Sequence, residues 1–309
     1  QEFESPYGGT SPLTVWGYRL RAFDLGEDRP VPLNVHLPGD VDLVGYRYWP
    51  DRIQPGDTVS VTLFLRATRP VTESFHAVVR MISPGDGVAW AQDTTVPRSV
   101  LADQGQTGEV IAERLVLTTT ADIPIGAYRL ELSAMAPDLE SVLSIYRRSD
   151  KASLDRLALG YVAVPWQGKP EIAQPVGANL GNQISLLGFE APDRLSPGAE
   201  LDVVLYWEAL QPPEEDYVVF VHVLGGDGHL VASHDGPPVA GRYPTTTWLP
   251  GDIVPDVIRV ELDPNIPVGR YRLQAGMYRW PSLERLPVWD GQGVEQVDRV
   301  VVLQSVEVE

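Results

Sequence analysis

Hydrophobic and polar residues alternate along much of this chain with the two-residue period of half-buried strands. Val59, Val61, Leu63 and Leu65 alternate with Thr58, Ser60, Thr62 and Phe64, and in a matching segment Leu201, Val203, Leu205 and Trp207 share one face. Residues 75–81 and 217–223 predict the next strand of each set, and 116–118 and 258–262 a later one. Pro55-Gly56, Pro84-Gly85-Asp86-Gly87, Pro197-Gly198 and Gly225-Gly226-Asp227-Gly228 punctuate these runs as turns. With 28 Gly and 28 Pro there is little room for long helices. Only 138–145 and the stretch before Arg156 have room for a helical turn, with loop as the alternative.

The whole pattern occurs twice. Leu43-Val44-Gly45-Tyr46 recurs as Leu186-Leu187-Gly188-Phe189, and Pro50-Asp51-Arg52-Ile53-Gln54-Pro55-Gly56 as Pro192-Asp193-Arg194-Leu195-Ser196-Pro197-Gly198. Ile123-Pro124-Ile125-Gly126-Ala127-Tyr128-Arg129-Leu130 recurs as Ile266-Pro267-Val268-Gly269-Arg270-Tyr271-Arg272-Leu273. The offset is 143, slips to 142 after one deleted residue, and returns to 143. A register held that long marks a duplicated domain of about 120 residues rather than a short solenoid unit. The first repeat is placed at 41–168 and the second at 169–309. Residues 1–40 fall outside, with a strand at 13–23 and a Pro-rich lead-in at 28–38, and residues 166–181 join the copies.

Tyr128 and Tyr271, in the repeated Pro-x-Gly-x-Tyr-x-Leu element, stand where an immunoglobulin-like sandwich places its tyrosine corner. The fold class expected is all-β: two tandem immunoglobulin/fibronectin-III-like antiparallel β-sandwiches. No Cys…Trp…Cys core exists, which excludes the antibody subclass.

Charge narrows the partners. Across 309 residues, 42 acidic side chains stand against 24 basic ones, a formal net charge of -18 that repels phosphate backbones and leaves no nucleic-acid partner expected. The same imbalance disfavours an anionic lipid surface, and no run of 18 apolar residues spans a bilayer. The absence of cysteine removes disulfides, thiolate zinc sites and cysteine nucleophiles without fixing a compartment. The chain starts at Gln1 and reads as an excised or processed piece of something longer.

Catalytic patterns are missing. There is no Gly-x-Ser-x-Gly elbow and no Walker-type phosphate loop. Carboxylates are too numerous for a pair to mean anything, and none is read as standing alone in an apolar run where burial would raise its pKa. The histidines (His36, His76, His222, His229, His234) lack metal-binding spacings. His229 and His234 flank a hairpin strand beside Asp235, where a solvated hairpin outweighs a metal site; Asp227-Gly228 reads as a turn, not a calcium loop. No metal and no cofactor are expected.

The copies differ in their non-core faces. The second carries Val204, Tyr206, Val218, Phe220 and His222 where the first is more polar, so Tyr206, Phe220 and His222 are candidates for an exposed interface. The second also has an aromatic loop: His234-Asp235-Gly236-Pro237-Pro238, then Arg242-Tyr243-Pro244-Thr245-Thr246-Thr247-Trp248. Tyr243 and Trp248 are candidates for a sugar-stacking platform with His234, Asp235 and Arg242 as polar partners. The competing reading, that the two rings cap the sandwich core, is favoured because aromatics in β-sandwiches mostly serve packing.

Asn179-Leu180-Gly181-Asn182-Gln183-Ile184-Ser185-Leu186-Leu187-Gly188-Phe189, Leu205-Tyr206-Trp207, Val219-Phe220-Val221-His222-Val223-Leu224 and Trp248-Leu249-Pro250-Gly251-Asp252 together resemble a known soluble domain type. Such domains lie C-terminal to the membrane part of bacterial glycosyltransferases similar to the dolichyl-phosphate-mannose protein mannosyltransferase family. The resemblance covers 179–278 well, 43–135 in degraded form, and not 1–40. It implies catalysis in a transmembrane portion absent from this chain, so no catalytic residue carries over. It also implies a location on the outer face of the cytoplasmic membrane, tethered to a membrane domain, with glycan or a cell-envelope protein as partner. The expected function is therefore non-catalytic binding or positioning, with a purely structural assembly module and a glycoside-processing enzyme as the alternatives.

Overall fold

The computed structural model describes residues 14–15, 18–19, 30–70, 74–83, 87, 89–96, 108 and 110–309. Strands β1 (Thr14–Val15) and β2 (Tyr18–Arg19) pair antiparallel, so the single strand predicted over 13–23 folds back on itself. The first repeat follows as β3 (Val31–Leu37), β4 (Val41–Trp49), β5 (Thr58–Ala67), β6 (Phe75–Ile82), β7 (Ala89–Val96), β8 (Val110–Thr118), β9 (Gly126–Met135), β10 (Val142–Leu143), β11 (Ile145–Arg147), β12 (Ala152–Leu154) and β13 (Leu157–Val164). The second comprises β14 (Gln174–Leu180), β15 (Ile184–Glu190), β16 (Arg194–Leu195), β17 (Glu200–Ala209), β18 (Tyr217–Leu224), β19 (Leu230–Gly236), β20 (Ile253–Glu261), β21 (Gly269–Arg279), β22 (Val288–Trp289), β23 (Glu295–Gln296) and β24 (Val301–Val308). The chain divides into two compact units, chiefly between Ala163 and Val164, with Ile125–Ala127 grouped with the second.

Each repeat is an antiparallel β-sandwich of immunoglobulin/fibronectin type. In the second, one sheet runs β20-β17-β15-β14-β22-β23 and the other β16-β24-β21-β18-β19. The chain crosses between sheets from β17 to β18, returns after the β18–β19 hairpin, and crosses again from β20 to β21. The first repeat has β12-β11-β3-β4-β5-β8 opposite β10-β9-β6-β7, with β13 on β9. The short parallel pairing of β16 with β24 has its counterpart in the Arg52–Ala163 bridge.

The repeat reaches further than its sequence motifs. Both tracts read as lead-in or linker contain a strand, β3 and β14, each joined to the next strand and interrupted by the same bulge after Pro32 and after Pro175. A proline lacks the N–H a ladder requires, and a bulge is where a strand tolerates that loss. The first sandwich thus begins near Val31 rather than at residue 41. The segments 138–145 and before Arg156 form the short strands β10 to β12 instead of helical turns.

Local chemistry explains the repeated motifs. A Cβ on Gly188 would stand 2.4 Å from the Gln174 carbonyl oxygen, and one on Gly45 3.1 Å from that of Val31, so the glycine lets the preceding strand approach. Pro55-Gly56 and Pro197-Gly198 form tight turns with the glycine at φ 89° and 76°, which Gly adopts without strain. Tyr128 Oη donates to the Pro124 carbonyl and Tyr271 Oη to that of Pro267, both at 2.7 Å. Between the sheets, Leu201, Val203, Leu205 and Trp207 are fully buried, each contributing about 1.5–3 kcal/mol or more by leaving water. The turn predicted at Pro84-Gly85-Asp86 lies outside the described residues.

Candidate functional site

Strand register brings three connections of the second repeat to one end of the sandwich. Glu208 stands opposite Ile253, Val219 opposite Gly236, and Tyr217 opposite Arg279, so the loops 210–216, 237–252 and 280–300 emerge together. Polar bonds knit them. Thr245 Oγ1 donates to the Glu215 carbonyl at 2.7 Å and accepts from the Tyr217 N–H at 3.0 Å. Thr246 donates through both N and Oγ1 to Asp216 Oδ1, and Arg279 lies 3.7 Å from the Glu215 carboxylate.

Tyr243 and Trp248 are not a stacking platform. Both are fully buried, their ring centroids 6.1 Å apart. Trp248 Nε1 donates to the Tyr243 carbonyl at 3.1 Å, and Tyr243 Oη donates to Asp252 Oδ2 at 3.0 Å. The 3-10 turns Pro238–Gly241 and Thr245–Thr247 fold the loop inward, so its rings plug the end of the core. Their proposed polar partners scatter. His234 and Asp235, being neighbours on β19, face opposite sides of the sheet, and Arg242 lies between the two turns with its Nε buried and unbonded.

The inward side holds a group that the sequence reading missed. Val254, Asp256, Ile258 and Val260 alternate toward the core along β20, and Asp256 is 2% exposed. Its Oδ1 accepts the Val239 N–H at 2.8 Å, holding Val239 and Ala240 at φ 53° and 52°, a left-handed pair that is costly for a β-branched residue. Burial pushes the carboxyl up to about 6, opposed by the Val239 N–H, the Trp207 indole and the His234 charge. Trp207 Nε1 and Asp256 Oδ2 stop short of hydrogen-bond geometry, and both atoms are buried unbonded. This overturns the expectation that no carboxylate stands alone in an apolar run. The predicted strand began at Ile258, too late to include Asp256 in the alternation.

The predicted interface residues do not form one face, because Tyr206 lies on β17 and Phe220 and His222 lie on β18 of the opposite sheet. Phe220 points outward as alternation requires, yet is only 1% exposed. The Arg285 guanidinium carbon sits 4.7 Å from its ring centroid, and Tyr278 and His222 flank it at 6.3 and 4.7 Å. The ring lies over Gly276, where a Cβ would come within 2.5 Å of Phe220 Cζ. His222 Nε2 is 3.9 Å from Asp235 Oδ2; burial lowers the imidazole's pKa, Asp235 opposes that, and Arg285 adds to it. Burial and then the Asp235 charge raise the Tyr278 hydroxyl. Ser233 stands opposite His222 on the neighbouring strand. Tyr206 Oη donates to Glu190 Oε1 at 2.6 Å, a bond that with partial burial and the Glu190 charge pushes the phenol up to about 12.

Asp227 and His229 form an exposed turn pair 3.6 Å apart. Among the described residues no three His, Asp or Glu side chains gather as a metal site, and no helix is long and apolar enough to cross a membrane. Exposed apolar side chains of the second repeat include Leu210, Leu249, Leu283, Val294, Val297 and Trp280 on these three connections, Trp280 at 69% exposure, and Leu230, Val231, Val257, Val268 and Val302 elsewhere.

No family model matches the chain, and no curated protein does. Among solved structures it is similar to red sea bream transglutaminase, with 10% identity and a TM-score of 0.24, covering 100% of this chain and 40% of that one. It is also similar to a protein from Corynebacterium diphtheriae described as membrane anchored, with 12% identity and a TM-score of 0.21, covering 85% and 58%. The chain thus spans about half the length of either, and at those scores the likenesses carry no argument about its chemistry.

Proposed function

We propose that the chain is a non-catalytic binding and positioning module, the soluble extracytoplasmic part of a membrane-bound glycosyltransferase, and that the loop end of its second repeat engages carbohydrate. The parent enzyme and the location rest on the sequence resemblance over 179–278. The observation that carries the binding reading is Trp280, 69% exposed on a turn closed by the Leu283 N–H to the Arg279 carbonyl at 2.8 Å and the Arg279 N–H to the Glu284 carbonyl at 3.0 Å. An indole left in water on an ordered frame forgoes about 1.5–3 kcal/mol of burial, which a sugar ring stacked on it recovers. Trp280 replaces Tyr243 and Trp248 as the candidate ring because only Trp280 presents a face.

A glycan-array screen of the intact chain beside a Trp280→Ala variant tests this. Selective binding by the intact chain, lost in a variant with unchanged melting temperature, supports the reading. Absence of binding to any glycan, together with a concentration-dependent dimer in light scattering that Trp280→Ala abolishes, overturns it in favour of assembly through the same loops.

A further inference from the structure

The first repeat carries a charge cluster that its duplicate lacks. Tyr146 of β11, His36 of β3, Asp42 of β4 and Arg66 of β5 stand directly opposite one another in a single row across four neighbouring strands. Arg148, just past β11, reaches the same carboxylate. Asp42 is 3% exposed and takes His36 Nδ1 at 3.0 Å, Arg66 Nη2 at 3.3 Å, and Arg148 Nη1 and Nη2 at 3.2 and 2.8 Å. A carboxylate has about four acceptor positions, so these contacts fill it, while two guanidiniums bring about ten N–H donors. Their side chains remain 30% and 40% exposed, and that of His36 32%.

One guanidinium neutralises one buried carboxylate; the second is surplus to that task. The fold does not demand it either. In the second repeat the same row, in the same register, reads Trp289, Asn179, Ser185 and Glu208. There the frame stands with no cation in those four positions. A locally cationic row in a chain of net charge -18 therefore answers to something other than folding.

We infer that this row is an oxyanion site, in which Asp42 fixes the two guanidiniums and His36 so that their remaining donors take a carboxylate or phosphate group of a small molecule or glycan. Asp42 is the organiser and makes no contact with the ligand. Arg66 and Arg148 supply the planar, paired donors that oxyanions favour, and His36 and Tyr146 flank them. This inference is independent of the loop end and of its proposed ligand.

The test is a titration of the full chain with sodium phosphate, acetate and glucuronate at constant ionic strength against chloride. Histidine ring signals are followed by NMR, with the other four histidines as internal references. A saturable shift confined to His36 is expected, and the ranking of the three anions tells phosphate from carboxylate. Arg66→Gln, which leaves Arg148 on Asp42, is expected to weaken binding about tenfold or more. No saturable His36 shift with any anion, a shift shared by all five histidines, or unchanged affinity in Arg66→Gln overturns the site. Should Arg66→Gln fail to fold, the His36 titration of the unaltered chain decides alone.

Discussion

Asp256 gives the sharpest quantitative test of how the second repeat is held together. Its carboxyl is pushed from 3.8 up to about 6, burial being the largest cause. A rise of that size is about 3 kcal/mol of preference for the neutral form. The sign follows from linkage: between pH 4 and 6 the unfolded chain has released the proton that the folded chain still holds. Stability from this group is therefore unaffected below about pH 4, falls as pH rises toward 6, and stays lower above it.

Asp256→Asn removes the ionisation while keeping an oxygen to accept the Val239 N–H. It also sets an amide donor near the Trp207 indole N–H, a penalty that does not depend on pH. The informative quantity is therefore the change with pH of the stability difference between variant and parent. That difference should swing by about 3 kcal/mol in favour of the asparagine variant between pH 4 and pH 8. The assay is urea denaturation of the full chain across that range, comparing the transition that the substitution moves, since two compact units need not unfold as one. A difference flat within about 0.5 kcal/mol, well below the swing expected from linkage, would refute the claim that burial governs this carboxyl.

Trp248→Ala should destabilise the second repeat by about 3–5 kcal/mol, as loss of a fully buried indole does. A melting temperature unchanged by that substitution would return Trp248 to the surface. Tyr271→Phe deletes the bond to the Pro267 carbonyl at 2.7 Å and should cost about 1 kcal/mol in denaturant unfolding, with Tyr128→Phe doing the same in the first repeat. If both phenylalanine variants match the parent, the corner bonds contribute nothing to stability.

The fold was legible because a sheet's side-chain period is local. Alternation located β5, β6, β17 and β18 nearly residue for residue, and the duplicated Pro-Gly turns and tyrosines fixed the sandwich type. What escaped were strands disguised by proline, β3 and β14, since a bulge makes room for Pro32 and Pro175 that composition alone does not reveal. The site was less legible. Alternation correctly turned Phe220 outward, but the guanidinium that covers it comes from Arg285, far along the chain. The core reading of Tyr243 and Trp248, favoured over stacking, rested on what aromatics usually do in sandwiches, because two 3-10 turns with no periodic signature decide which way the loop faces.

Comparing the repeats separates what the frame needs from what it merely carries. Gly45 and Gly188, Pro32 and Pro175, and the two corner tyrosines answer to the same steric demands in both copies. An inward carboxylate belongs with them: Asp256 stands opposite Leu205, and Glu113 opposite Leu63 at the equivalent place in the first repeat, half-buried. Asp256 has a structural task, holding the Val239 N–H of a strained returning loop. The Asp42 row follows the opposite rule, being charged in one copy and without cations in the other on identical pairing. Structural necessity accounts for the first pattern and not for the second, which is why the row, and not the buried carboxylate, is the place to look for a ligand.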